Sequence, residues 1–121
     1  MPKTRSGKIL RGTIKKIADG IIDAAVATVM EKRRPESIVY TVFLDRQAAL
    51  IERALDLLNQ ETADFEPEAP SIVEITIGVA LGYLDLRMPY IEWRRGREPL
   101  ASWYTAFAQR AAMVRSQPPV V

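Results

Sequence analysis

The chain has 121 residues, 48% of them hydrophobic and 26% charged, which suits one soluble domain able to bury a core without metal or disulfide. It contains neither cysteine nor histidine. Disulfides, thiolate zinc sites, cysteine nucleophiles and Ser–His triads are therefore excluded, and no acidic cluster is spaced to hold a metal. The formal charge of +2 is unevenly placed: residues 1–16 carry Lys3, Arg5, Lys8, Arg11, Lys15 and Lys16 and no acid, leaving 11 basic against 15 acidic residues elsewhere. The basic character belongs to the arm, so no nucleic-acid-binding face is expected on the domain.

Residues 1–12 read as a basic arm, residues 13–117 as one helical domain and 118–121 as a tail ending Pro118, Pro119. Thr13 is placed to cap a first helix whose stripe runs Ile14, Ile17, Ile21, Ala24, Ala25, Thr28 and which ends near Arg34, before Pro35. A second helix is expected from about Glu36 to Glu61, with Val39, Val42, Phe43, Leu50, Ala54, Leu57 and Leu58 as its apolar face. Residues 62–70, with Pro67 and Pro70, read as a loop.

Ser71 followed by Glu74 is a capping box: the hydroxyl accepts from a free backbone N–H and the carboxylate reaches back. That account explains Glu74 without assigning it catalysis. The helix it opens, to about Met88, shows no polar face, which predicts a central helix. At this length, and with Glu74, Asp85 and Arg87 within it, a buried core helix is expected and not a membrane span. Gly78 and Gly82 weaken the helix and point to close approach of a neighbour. After a loop with Pro89, Trp93 and Gly96, a fourth helix is expected from near Pro99, with Leu100, Trp103, Tyr104, Phe107, Ala108 and Ala111 at helical spacing. The fold class expected is all-α, a bundle of four to five helices. No signal peptide is read at the N-terminus, and a cytoplasmic location is expected.

Two resemblances follow. The strings IADGIIDAA, LDRQAALIERALDLL and PSIVEITIGVALGYLDLRMPYIEWRRGREPLASWYTAFAQR, over about residues 17–119, resemble the C-terminal helical domain of bacterial glutathione transferases. Those enzymes place a thioredoxin-like domain ahead of the helical one; it holds glutathione and the residue that favours its thiolate. The resemblance implies that Ala27, Met30 and Glu31 on the first helix face an electrophile pocket or an interface, and that the first two helices supply homodimer contacts. It implies no catalytic residue in this chain, and a requirement for glutathione only once a thioredoxin-like domain is supplied.

The second resemblance covers about residues 2–14. PKTRSGKILRGTI is similar to the closing lysine motif of acyl-CoA synthetases, in which Lys8 would contact the carboxylate and phosphate during adenylation. Three functions are thus carried forward: a non-catalytic helical module acting in binding or assembly, a fragment of a transferase active only with its other half, and an acyl-CoA-synthetase-related fusion or remnant using Lys8.

Overall fold

Four α-helices carry the fold in the computed structural model, which describes residues 10–65 and 70–116: α1 (Arg11–Lys32), α2 (Thr41–Gln60), α3 (Ile72–Arg87) and α4 (Glu98–Ser116). No strand occurs among the described residues, so the all-α expectation holds. Single turns of 3-10 helix at Glu36–Ile38 and Thr62–Asp64 stand on the connections either side of α2. The tail at 118–121, the arm up to residue 9 and Lys8 with it lie outside the described residues.

Helix α1 packs along both α2 and α3 and is the axis of the bundle. Ile14, Ala18, Ile21 and Ala25 are buried along its length. Small alanines at two of these positions let its neighbours come close, and burying each large partner contributes about 1.5–3 kcal/mol. The helix begins at Arg11, two residues before the expected cap. Leu10 is the N-cap and makes no side-chain bond, while Thr13 lies inside the helix. Thr13 N–H instead finds the Leu10 carbonyl at 2.9 Å, so the backbone closes the first turn without a hydroxyl.

The second helix starts five residues later than the sequence suggests. Pro35 and the turn at Glu36–Ile38 take up the chain, and α2 opens at Thr41. Its buried face is Ile51, Ala54, Leu55 and Leu58; Val42 and Leu50, both assigned to the core from spacing, are exposed. Ala54 and Leu58 of the expected face are buried and Phe43 and Leu57 half-buried, so the face is the expected one except that Ile51 and Leu55 take the places given to Val42 and Leu50.

Helix α3 is not buried on all sides. Ile77, Ala80, Leu81 and Leu84 are fully buried, whereas Ile72, Ile75, Val79 and Leu86 are exposed, at 62%, 43%, 54% and 69%. The exposed four recur at spacings of three, four and seven, so they form one apolar stripe about 21 Å long. The absence of a polar face therefore marks two apolar faces, one facing the core and one uncovered in this chain.

Helix α4 returns across α2 and α3. It is expected from Pro99 and starts one residue earlier, at Glu98. Phe107 lies directly over Gly78: a Cβ at that glycine would fall 2.1 Å from the ring. Tyr104 lies over Gly82 in the same way, with its hydroxyl 3.1 Å from the Cβ position. The two glycines one turn apart thus seat two aromatic rings, which is the close approach that their cost in helix propensity suggested.

Candidate functional site

Where α1 and α3 begin together, the capping box takes the form read from sequence. Ser71 Oγ accepts from Val73 N–H at 3.2 Å, and Glu74 Oε1 accepts from Ser71 N–H at 2.9 Å. Glu74 is 0% exposed, and its charge is met by Arg11, whose Nη2 reaches both carboxylate oxygens at 2.8 and 2.6 Å and Ser71 Oγ at 2.8 Å. The buried Glu74 carboxylate is thus hydrogen-bonded by Arg11 and by the N–H and hydroxyl of Ser71, which fastens the starts of the two helices together. Arg11 thereby ties α1 to α3.

The residues expected at a pocket lie on α1 at spacings of three and four. Met30 is exposed and Ala27 half-buried. The Glu31 carboxylate accepts from Tyr40 N–H at 3.1 Å and from Arg34 at 3.2 Å. It therefore closes the turn between α1 and α2 by holding the backbone N–H of the residue that precedes α2.

Two ionic clusters escaped the sequence reading. Asp85 accepts from Trp93 Nε1 at 2.9 Å and from both terminal nitrogens of Arg94, at 2.8 and 2.9 Å. The guanidinium of Arg94 lies 4.3 Å from the centre of the Trp93 ring. The hydrogen bonds from Arg94 hold the Asp85 carboxyl below the usual carboxylate range, against the upward push of burial and with help from Trp93. In the second cluster, Arg97 reaches Glu52 at 2.6 Å, Asp56 at 2.9 Å and the Trp93 carbonyl at 3.2 Å. Burial alone would lower the Arg97 pKa, but the hydrogen bonds that its guanidinium donates to Glu52 and Asp56 raise it. These pairs join residues eight or nine apart across a loop, or 41–45 apart between helices, separations at which sequence spacing gives no signal.

The N-terminus of α4 is capped from another helix. Arg97 stands at the cap position and has no acceptor, Pro99 has no N–H, and Leu100 N–H donates to Asn59 Oδ1 of α2 at 3.1 Å. The clusters hold the bundle together, and none presents a nucleophile beside a base. No group of three potential metal ligands occurs among the described residues. No described helix is long and apolar enough to cross a membrane.

Residues 41–106, more than half of the chain, match the sequence profile of the family described as glutathione S-transferase, C-terminal domain. The chain belongs to that family. As a glutathione S-transferase C-terminal domain it has relatives of known structure that superpose closely. A transferase family member from Pseudomonas fluorescens Pf-5, solved with bound glutathione, matches with a TM-score of 0.81 at 38% identity over 99% of this chain and 59% of its own. A glutathione S-transferase from Methylobacillus flagellatus, solved with glutathione bound, gives 0.77 at 34% over 98% of this chain and 60% of its own. Among curated proteins, the uncharacterized GST-like protein YibF of Escherichia coli (strain K12) is 32% identical over 108 residues, 88% of this chain and 54% of YibF. The chain thus spans between half and two thirds of the length of these relatives.

Proposed function

We propose that the chain is a helical glutathione S-transferase module that works by packing against a thioredoxin-like domain and has no conjugating activity by itself. The observation carrying this reading is the uncovered apolar stripe of Ile72, Ile75, Val79 and Leu86 on α3. Contiguous apolar surface along a whole helix face is the mark of a partner site. The reading also draws on the glutathione bound in the Pseudomonas and Methylobacillus relatives, which are longer than this chain. In the complete site, glutathione would be held by the thioredoxin-like half, and Ala27, Met30 and Glu31 of α1 would face the electrophile or the interface.

A second copy is the other partner that the exposed residues favour. Tyr40, Val42 and Leu50, at and after the start of α2, are uncovered, as are Val26 and Met30 on α1. These lie on the two helices that the family resemblance assigns to dimer contacts, and a native mass spectrum reads that state directly.

The test of the main reading is reconstitution. The part of the Pseudomonas relative that this chain does not cover is expressed separately, mixed with the full chain, and followed by calorimetry and by conjugation of a chloronitrobenzene. Association is expected, with glutathione-dependent conjugation only in the mixture, and Val79→Glu is expected to abolish both while leaving the chain folded. Conjugation by the chain alone, or association indifferent to Val79→Glu, would overturn the proposal.

A further inference from the structure

The α3 stripe is not the sole feature of this surface without an occupant. A cleft of about 240 Å³ opens where the end of α1, the first turns of α2 and the turn after α3 meet. Met88 is buried in it and Leu44 and Ile91 are half-buried, giving it an apolar interior. Three polar side chains on the same cleft are exposed: Lys32, Asp45 and Tyr90. The hydroxyl of Thr28, which also lines it, is spent on the Ala24 carbonyl at 2.8 Å.

Lys32 is held in place. Its ammonium donates to the Tyr90 hydroxyl at 2.7 Å and lies 4.0 Å from the centre of that ring, which pins a long side chain between α1 and the turn after α3. This contact uses one of three N–H donors. Asp45 shares the cleft, but no hydrogen bond or ion pair joins it to Lys32 or to any other described residue. An ammonium and a carboxylate therefore line one apolar cleft with no hydrogen bond or ion pair between them.

We propose that this cleft binds an apolar α-amino acid as its zwitterion. The carboxylate meets Lys32 and the Tyr90 hydroxyl, the ammonium meets Asp45, and the hydrocarbon side chain enters among Leu44, Met88 and Ile91. A monocarboxylate would gain Lys32 but face the like charge of Asp45; an alkylamine would gain Asp45 but face Lys32. The zwitterion alone matches both, and burying its tail supplies the apolar contribution. At about 240 Å³ and open to solvent, the cleft falls below the roughly 300–1,000 Å³ of drug-sized ligand sites, which restricts it to a small ligand. None of the residues that line this cleft belongs to the α3 stripe.

The experiment is an NMR titration of the full chain with three probes sharing one hydrocarbon tail: leucine, isocaproate, which lacks the ammonium, and isoamylamine, which lacks the carboxylate. Leucine is expected to shift the Leu44, Met88 and Ile91 signals saturably, with a Kd on the order of millimolar for so small a ligand. Each analogue is expected to bind roughly tenfold more weakly, the loss of one charge-assisted contact, with the gap narrowing as salt is added. Lys32→Met should erase the preference for leucine over isoamylamine, and Asp45→Asn the preference over isocaproate. Both side chains are exposed, and unchanged melting confirms that the variants fold. Leucine binding no better than its analogues overturns the proposal, as does an equal loss for all three probes in either variant. Shifts confined to α3, or no saturable shift, overturn it as well.

Discussion

Replacing Gly78 by alanine tests the packing of α4 on α3 at its tightest point. On helix propensity alone the change should help, since glycine in a helix interior is about 1 kcal/mol worse than alanine. The structure opposes this gain with a collision. The new Cβ would lie 2.1, 2.6 and 2.8 Å from three atoms of the Phe107 ring, so the ring must retreat by well over an ångström. It cannot do so freely, because it is stacked on Trp103 with centroids 5.1 Å apart and an angle of 18° between planes. Overpacking of this kind costs about 1–3 kcal/mol, and displacing the stacked ring adds about 0.5–1.5 kcal/mol. The collision therefore outweighs the propensity gain, and Gly78→Ala is expected to destabilise by about 1–3 kcal/mol net, or several degrees in Tm. Urea and thermal unfolding followed by circular dichroism read this directly. Phe107→Ala supplies the control, because in that background the added methyl has space and Gly78→Ala should turn neutral or stabilising. Gly82→Ala is the internal contrast: its Cβ meets only the tip of Tyr104, at 3.1 Å, and a small shift of the phenol leaves the propensity gain largely intact. A rise in Tm for Gly78→Ala in the otherwise unchanged chain would refute the reasoning.

Two further predictions concern the ionic fasteners. Ser71→Ala removes the acceptor for Val73 N–H and one contact of Glu74, and should cost about 1–2 kcal/mol in urea unfolding, whereas Ser71→Gly should cost less; equal losses for the two would argue against a capping role. Asp85→Asn should destabilise at neutral pH by an amount that shrinks in acid. The folded carboxyl lies below its unfolded value of about 3.9, so its contribution is complete above that value and is lost as pH falls through the folded pKa. Urea midpoints of both proteins at about pH 7 and about pH 2.5 check this, and a gap that persisted in acid would contradict it.

How far the fold was legible in the sequence can be read from α2 and α3. The Ser71–Glu74 box and the fully apolar run behind it located α3 correctly, because both signals are local and span only a few residues. The same run misled about burial: periodicity reports that Ile72, Ile75, Val79 and Leu86 are apolar, but not whether anything in this chain covers them. In α2 the spacing gives Ala54 and Leu58 correctly, but Ile51 and Leu55 are as apolar as Leu50 and Leu57 and lie beside them, so spacing alone does not decide which pair the neighbouring helices cover. The capping part of the candidate site was legible for the reason that α3 was. The Arg97 cluster and the cleft at Lys32 were not, since each joins side chains from separate helices or turns whose meeting depends on tertiary packing.

The borrowed cap on α4 bears on where the molecule opens first. Pro99 and Glu98 suit the first turn of that helix, but Arg97 brings no side-chain acceptor, and the one that Leu100 N–H meets belongs to Asn59 of α2. The last helix is thus a dependent one. Separation of α4 from α2 would leave that N–H without its acceptor, so the amides of its first turn should be among the earliest to exchange when the native state breathes.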